Sequence, residues 1–476
     1  MINTFSSSFA KLRAKGNLSS IVDHTAIPYL ILTGIVLVGA GMRFYKLGTW
    51  SFWIDEVYEI GYAQEALRNL AFPMRLSLPL TGITLNLLGV SEQSARLAPM
   101  LLGILTLPVL FFPVRRVFGT AIALLAIFFV AVSPWHLYWS QNARFYTALL
   151  LLYSLAQLAF FQWLETDRPG YLVLSGGLLI LAVLERLMAL FFVPVVLAYF
   201  LALMALRFEK PAGLRWRNLM LLGVPAALFG FYQLVTLGNL DDFSTFILGR
   251  EHNPVRVLLS VIYDLTLPMF LLALAGGVYL VLKKSRVGLY FFLGAVIPVA
   301  LLVMVAPFAQ TFSRYIFMTL PGWAILAAVA VKELFMQAEK HTKILALGVF
   351  LLLVGQSFSD DVLYYTYQNG NRPDWKGAYA TISSERTPGD HVVTTRPQIG
   401  EYYLGQEVIW TQGLNPREVI ASGQRTWFVI DNRTGFISPK LQDWIFNETR
   451  LVDVRDVSLP GKTLEMRVYL YDPGEQ

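Results

Sequence analysis

Long apolar runs recur along the first three quarters of the chain, and short polar segments separate them. A helix needs about 20 mostly apolar residues to cross the hydrocarbon core of a bilayer. The pattern therefore predicts about eleven membrane-spanning helices. They lie near residues 26–45, 95–113, 120–134, 146–163, 171–186, 187–206, 218–237, 256–281, 287–306, 315–332 and 343–359.

Two segments depart from this pattern. Residues 46–94 are amphipathic and interrupted by prolines, which predicts helices that lie on the membrane surface. From residue 360 onward the chain is polar, and about 115 residues can form one compact domain. There the pattern predicts helices at 374–385 and 441–447, and strands at 391–395, 426–430 and 464–471.

These elements define the predicted fold class, a polytopic α-helical membrane protein with a C-terminal external α/β domain. Residues 1–359 are predicted to form the transmembrane catalytic domain, with 46–94 as its first external loop. Residues 360–476 are predicted to form the soluble external domain.

Charge predicts the orientation of these helices. Residues 1–359 hold 26 basic and 16 acidic side chains, whereas 360–476 hold 12 and 16. If the N-terminus is cytoplasmic, four of the five short internal loops are basic, which agrees with the tendency of positive loops to stay inside. The basic loops contain Arg115 and Arg116; Lys210, Arg215 and Arg217; Lys283, Lys284 and Arg286; and Lys332, Lys340 and Lys343.

Composition excludes several classes of protein. Only 15% of the residues are charged, against about 25% in soluble domains, and the mean hydropathy is +0.54. A soluble enzyme is therefore excluded. The absence of cysteine excludes disulfides and thiolate catalysis. The net charge of +6 arises in the membrane part, so we expect no nucleic-acid partner.

The first cluster of candidate functional residues follows the first span. Asp55 and Glu56 lie among aromatic residues that include Trp53. A carboxylate beside aromatic walls is partly desolvated, which suits a general base. Because adjacent residues on a helix point in different directions, one carboxylate is expected to face the reaction and the other to hold local structure or a metal. The alternative is an interfacial aromatic belt with ordinary helix N-terminal acids.

Two further clusters are predicted on the same external face. One contains His136, Arg144 and Tyr146, and the other contains Arg314 and Tyr315. Arginine binds phosphate well, and a tyrosine hydroxyl adds a donor. The alternative is that these side chains anchor the helices at the lipid headgroups. Together the three clusters suit a substrate with a long apolar tail and a phosphate head.

Four motifs occur in order: W-x-DE at 53–56, G-x-SE…R at 89–96, SP with AR-x-Y at 133–134 and 143–146, and RY at 314–315 with Pro321 after it. The order and spacing resemble the GT-C glycosyltransferases of the protein O-mannosyltransferase and aminoarabinose transferase type. The C-terminal segment is similar to the external domain of bacterial members, which implies a bacterial plasma (inner) membrane. One departure is the first external loop, where many relatives have His-Pro-Pro and this chain has Leu78-Pro79-Leu80.

The resemblance implies inverting transfer of a sugar from a polyprenyl-phosphate donor to a protein, lipid or glycan acceptor outside the cytoplasm. It implies that Asp55 is the general base. Arg144 and Arg314 are expected to offset the charge of the leaving phosphate, with Tyr146 and Tyr315 nearby. Glu56 and His136 are candidate ligands for one divalent metal ion, and metal dependence stays open.

Two other functions remain open at this point. A transporter for a lipid-linked saccharide would have charges at mid-bilayer and discontinuous or inverted-repeat helices. The sequence indicates neither, because its charges gather at one face. A non-catalytic membrane subunit would use its external domain to bind a partner. The sequence does not identify the sugar or the acceptor.

Overall fold

The computed structural model describes residues 26–69, 75–215, 218, 252–337, 339–431 and 436–474. Contacts divide the chain into two compact units. The first consists of Met1–Met42, Leu101–Leu137 and Tyr146–Ser357, and the second of Arg43–Met100, Tyr138–Phe145 and Phe358–Gln476. Of the predicted span at 218–237, all but Asn218 lies outside the described residues.

Most of the described residues are helical. The α-helices are α1 (Ile27–Phe44), α2 (Ile54–Arg68), α3 (Ser77–Leu88), α4 (Glu92–Phe118), α5 (Thr120–Ala131), α6 (Pro134–Ser140), α7 (Tyr146–Thr166), α8 (Pro169–Glu185), α9 (Phe192–Ala205), α10 (Pro254–Leu265), α11 (Leu267–Leu282), α12 (Arg286–Val305), α13 (Leu320–Met336), α14 (Lys340–Thr366), α15 (Trp375–Glu385), α16 (Pro397–Leu404), α17 (Pro416–Ser422) and α18 (Pro439–Glu448). Short 3₁₀ helices cover Leu187–Phe191, Ser313–Thr319 and Asn369–Asn371.

The apolar helices make the chain an integral membrane protein. Among the described residues, seven helices are long and apolar enough to cross a membrane, or nine if each of two bent pairs is one span. Each of the ten predicted spans that fall on described residues coincides with a helix or a bent pair. The prediction of about eleven exceeds the structural count because one span is not described and α8, with 17 residues, is short.

One predicted span is not a single helix. Residues 256–281 were expected to form one, but α10 and α11 meet at an angle of 93°. The chain breaks at Thr266, whose φ is +68°, and Pro268 follows within the first turn of α11. Proline lacks the N–H that a continuous helix needs, and its ring clashes with the carbonyl of the residue four positions before it. The α5–α6 pair bends by 60° just before Pro134. The interpretation that the sequence has no discontinuous helices is therefore wrong.

Close helix contacts build the first unit. The helices α11 and α13 touch at Gly276, where an added Cβ would meet the carbonyl oxygen of Leu326. Small residues let helix backbones approach in this way within membranes. The polar ends of α4, α7, α9 and α11 surround one cavity in this unit.

The C-terminal part of the second unit contains the predicted α/β structure. The strands are β1 (His391–Thr394), β2 (Ile409–Trp410), β3 (Thr426–Asp431), β4 (Arg450–Val454), β5 (Val457–Leu459), β6 (Lys462–Leu464) and β7 (Met466–Tyr471). Five of them form a sheet in the order β2-β1-β3-β7-β4, and β5 pairs with β6. The strands β2, β1 and β3 are parallel, with Val393 opposite Phe428, while β7 is antiparallel to β3 and β4. The predicted helices and strands are confirmed, with boundaries shifted by one or two residues.

The helices α2 and α3 belong to the same unit as this sheet. They are packed so tightly that a Cβ on Gly82 would lie 2.5 Å from the carbonyl oxygen of Ala63. The first turn of α2 also packs on the core of this domain, because Ile54 and Val57 contact the buried cluster that contains Trp375 and Trp427. The C-terminal segment thus supports the start of α2. The functional division into 1–359 and 360–476 stays a prediction.

Candidate active site

The candidate site begins at the N-terminus of α2. Trp53 is the N-cap residue, and Asp55 and Glu56 lie in the first turn, where the helix dipole favours negative charge. The carboxylate of Glu56 accepts the backbone N–H of Trp53 at 3.3 Å. The two adjacent carboxylates differ in environment, since the side chain of Asp55 is 34% exposed and that of Glu56 is 0% exposed.

Glu56 is held by two arginines and the backbone. Arg96 donates Nε–H and Nη2–H to its two oxygens at 2.8 and 2.9 Å, and Nε of Arg372 lies 3.4 Å away. The backbone N–H of Ala143 donates to it at 2.8 Å. Burial alone would raise the pKa of Glu56, but the charges of Arg96 and Arg372 and these hydrogen bonds outweigh it and hold the pKa below its ordinary value. Glu56 is therefore ionised.

Arg96 is the centre of this arrangement. It is fully buried, and each of its five N–H groups has an acceptor. Two are the oxygens of Glu56, and the others are the carbonyls of Leu47 (3.2 Å), Trp50 (3.0 Å) and Ser51 (2.9 Å). One side chain on α4 thus fixes the path of the chain into α2.

Arg372 extends the same network to the C-terminal segment. Its Nη1 donates to the carbonyl of Gly370 at 2.9 Å and its Nη2 to that of Gln141 at 2.8 Å. Its guanidinium also lies 5.4 Å from the ring centroid of Tyr138. Glu56, Arg96 and Arg372, named here the buried triad, therefore join three segments that are far apart in the sequence.

Arg144 connects the accessible carboxylate to a second buried one. Its Nη1 donates to the backbone carbonyl of Asp55 and to Glu59, both at 3.1 Å, and its Nη2 lies 3.7 Å from the Asp55 carboxylate. Arg75 pairs with Glu59 at 3.1 Å. The ring of Phe145 lies near the guanidinium groups of Arg144 and Arg75, at 5.1 and 5.7 Å. Arg144 is thus oriented from several sides, and Asp55 stays open to solvent.

Trp53 and Asn142 form another contact of the site. The indole Nε1–H of Trp53 donates to the side-chain oxygen of Asn142 at 3.1 Å. Asn142 is fully buried, and within the described part of the chain its Nδ2 has no hydrogen-bond partner. The site therefore contains a buried amide donor without a partner beside the N-cap of α2.

The other four predicted site residues belong to the first unit. Arg314 lies over the ring of Phe312 at 4.1 Å and near the ring of Tyr315 at 5.8 Å, and both Arg314 and Tyr315 are partly exposed. The buried rings of His136 and Tyr146 lie 6.0 and 6.3 Å from that of Phe317. The 3₁₀ turn at 313–319 supplies Arg314, Tyr315 and Phe317 together.

The structure brings Trp53, Asp55, Glu56 and Arg144 together. Sequence reasoning assigned no site role to the residues that hold them, chiefly Arg96, Arg372 and Glu59, although Arg96 ends the motif at 89–96. Arg96 had a local signal, because it is a charge in the first turns of an apolar helix. Arg372 had none, since nothing near it in the sequence indicates a carboxylate partner. Across the described residues, no group of three or more His, Cys, Asp or Glu side chains is arranged to hold a metal ion.

Comparison with known proteins identifies the fold. Residues 79–231 match the family described as Dolichyl-phosphate-mannose-protein mannosyltransferase. No curated protein matches the chain.

Three solved structures extend the similarity over most of the chain. ArnT from Cupriavidus metallidurans in the apo state is 17% identical with a TM-score of 0.62, and the match covers 94% of this chain and 98% of that one. The structure of the same protein bound to undecaprenyl phosphate is also 17% identical in sequence, with a TM-score of 0.61, and the match covers 94% of this chain and 98% of that one. The oligosaccharyltransferase of Archaeoglobus fulgidus in the apo form is 15% identical with a TM-score of 0.58, over 86% of this chain and 70% of that one.

The chain therefore has the GT-C fold, and the resemblance deduced from its motifs is confirmed.

Proposed function

We propose that this protein transfers a sugar, with inversion, from a polyprenyl-phosphate donor to an acceptor outside the cytoplasm. The fold supports this proposal, because it is shared with an ArnT structure bound to undecaprenyl phosphate and with an oligosaccharyltransferase tethered to an acceptor peptide. The proposed location is the bacterial inner membrane, with the N-terminus cytoplasmic and the C-terminal domain periplasmic.

The observation that carries the proposal is the division of roles between two adjacent carboxylates. Glu56 is enclosed by cations and backbone donors, whereas Asp55 is a third exposed and has Arg144 as its neighbour. A general base must reach the proton that it removes, and Asp55 meets this requirement. Glu56 is assigned to local structure, which is one of the two roles expected for the second carboxylate.

In the proposed reaction Asp55 takes the proton of an acceptor hydroxyl. The acceptor oxygen forms a bond to the anomeric carbon from the face opposite the donor phosphate. The bond from that carbon to the phosphate oxygen breaks, and polyprenyl phosphate leaves with the electron pair. Arg144 and Arg314 are proposed to stabilise the negative charge that develops on it.

The geometry does not support Glu56 as a metal ligand. Its two oxygens already accept four hydrogen bonds, two from Arg96 and one each from Ala143 and Trp53. Two cations beside the carboxylate would also repel a metal ion. No step of the proposed reaction is therefore assigned to a metal.

The test compares wild type, Asp55→Asn and the control Glu65→Gln, which removes an exposed carboxylate of the same helix. Each purified protein is given a panel of radiolabelled polyprenyl-phosphate sugars, and donor binding and turnover are measured. We expect Asp55→Asn to bind donor but to lose at least about 100-fold in turnover, and Glu65→Gln to match wild type.

Equal turnover by Asp55→Asn would refute the assignment of the base. If wild type binds no member of the panel, the non-catalytic subunit becomes the better explanation.

A further inference from the structure

A cavity of about 760 Å³ lies at one end of the first unit. Four segments line it, and each comes from a loop or helix end that alternation of the spans predicts to be cytoplasmic. Its charged side chains are four cations and two carboxylates: Arg116, Arg207, Lys284, Arg286, Glu165 and Glu209. The four segments thus meet at a single end, as alternation requires.

The balance of charge in the cavity is positive. Arg286 pairs with Glu165 at 2.6 Å, which leaves three cations against the carboxylate of Glu209. Arg116 donates to the hydroxyl of Tyr171 at 2.6 Å, a neutral partner. Among the described residues, Arg207 makes no side-chain hydrogen bond or ion pair, and it is exposed.

Two of these cations occupy backbone positions that favour glycine. The φ of Arg207 is +53° and that of Lys284 is +55°. Each directly follows the C-cap residue of a helix, α9 or α11, and in each case the next N–H bonds back to a carbonyl of the last helical turn, at 2.9 Å. Glycine is the usual residue at this position because a Cβ is strained there. Lys284 serves a helix end, because its Nζ donates to the carbonyl of Leu206, the C-cap residue of α9, at 2.8 Å. Arg207 makes no such side-chain contact among the described residues, so the needs of the helix end do not explain a cation at its position.

We infer that this cavity is a binding site for a phosphate group, with the headgroup of an anionic lipid or a free phosphate compound as its source. Arginine and lysine are the side chains that bind phosphate, and basic pockets between membrane helices bind anionic headgroups. Phe161 and Phe208 add apolar wall, which suits the upper acyl chains of a lipid. The inference does not depend on the transfer reaction.

The test measures binding by the full-length protein, purified in a neutral detergent, with isothermal titration calorimetry. The probes are dioctanoyl phosphatidylglycerol, dioctanoyl phosphatidylcholine and inorganic phosphate. We expect phosphatidylglycerol to bind and phosphatidylcholine not to bind. If inorganic phosphate binds and the lipid does not, a free phosphate compound is the source; if no probe binds, the inference is wrong.

Two variants localise the binding, and a matched control exists for the first. Arg116→Gln should weaken binding about tenfold, because it removes one charge-assisted contact. The control is Arg115→Gln, since Arg115 makes the same kind of contact to a tyrosine, Tyr29, but does not line the cavity. An equal effect of the two changes would overturn the inference.

Arg207→Gly separates binding from structure. Because glycine suits the backbone at this position, we expect an unchanged or higher melting temperature together with weaker binding. A lower melting temperature with unchanged binding would mean that Arg207 serves the helix end, and the inference would fail.

Discussion

Replacing Glu56 by glutamine should destabilise the protein strongly although the side chain keeps its shape. The amide removes the negative charge that faces Arg96 and Arg372, and both arginines stay buried at 0% and 1% exposure. In addition, one carboxylate oxygen of Glu56, which accepts hydrogen bonds, is replaced by an NH₂ group. This donor then faces the N–H groups that now donate to Glu56. Uncompensated buried charge is the costly outcome when one partner of a buried ion pair is removed.

The magnitude follows from the contacts. Arg96 makes two charge-assisted hydrogen bonds to Glu56, at 2.8 and 2.9 Å, and hydrogen bonds to charged groups contribute about 1.5–3 kcal/mol each. Their sum agrees with the cost of about 3–5 kcal/mol for breaking a buried ion pair. For a chain of 476 residues that unfolds as one unit, 1 kcal/mol shifts the melting temperature by about 1 °C. The melting temperature should therefore fall by roughly 3–5 °C.

The assay is thermal unfolding of the purified protein in detergent, followed by intrinsic tryptophan fluorescence. Glu65→Gln on the exposed face of the same helix is the control and should stay within about 0.5 kcal/mol of wild type. Asp55→Asn should also melt near wild type, because Asp55 is partly exposed. If Glu56→Gln melts with wild type, the buried triad does not hold the site and a catalytic role for Glu56 regains support.

Three further predictions concern the charge of the triad, the site and the membrane helices. Because the folded-state pKa of Glu56 is lowered, its contribution to stability is present at neutral pH. This contribution is lost as the pH falls through the ordinary value for Glu, about 4.3, and below. The melting temperature measured against pH should show this loss in wild type but not in Glu56→Gln. Arg144→Gln should lower turnover by about 100-fold with donor binding less affected, and unchanged turnover would remove Arg144 from the mechanism. Gly276→Ala should destabilise the protein by about 1–3 kcal/mol, because the added Cβ meets a backbone carbonyl. Gly348→Ala, with open space around the added Cβ, should leave the melting temperature unchanged. Equal melting temperatures of the two variants would contradict this packing argument.

The helices could be predicted from the sequence because their signal is local. Residues 287–306 were predicted as a span, and α12 covers Arg286–Val305. The agreement is close because the length of an apolar run is visible in the sequence itself. The bend at Thr266 was missed because residues 256–281, despite Asp264 and Thr266 itself, are on average apolar enough to span. Its cause is a positive φ and a nearby proline, and hydropathy does not report backbone direction.

The candidate site could be predicted only in part. The pairing of carboxylates with aromatic residues selected Asp55 and Glu56, and the charge at the start of an apolar helix selected Arg144. Which carboxylate is buried could not be read from the sequence, because the burial depends on Arg96 and Arg372. These partners come from distant segments, and only folding brings them to the start of α2.

Neighbouring positions on one helix turn account for the different environments of Asp55 and Glu56. Once Glu56 faces Arg96, helix geometry turns Asp55 away from the triad, toward solvent and Arg144. Because Asp55 is adjacent to Glu56 in the sequence, its position depends on how Glu56 is held. Glu56 is held in turn by contacts with the segments around Leu47, Ala143 and Arg372. Residues that never touch a substrate thereby fix the proposed base, which is how supporting contacts preorganise a site. Burying three charged side chains carries a desolvation penalty. In the proposed function the buried triad is kept because it holds Asp55 in position.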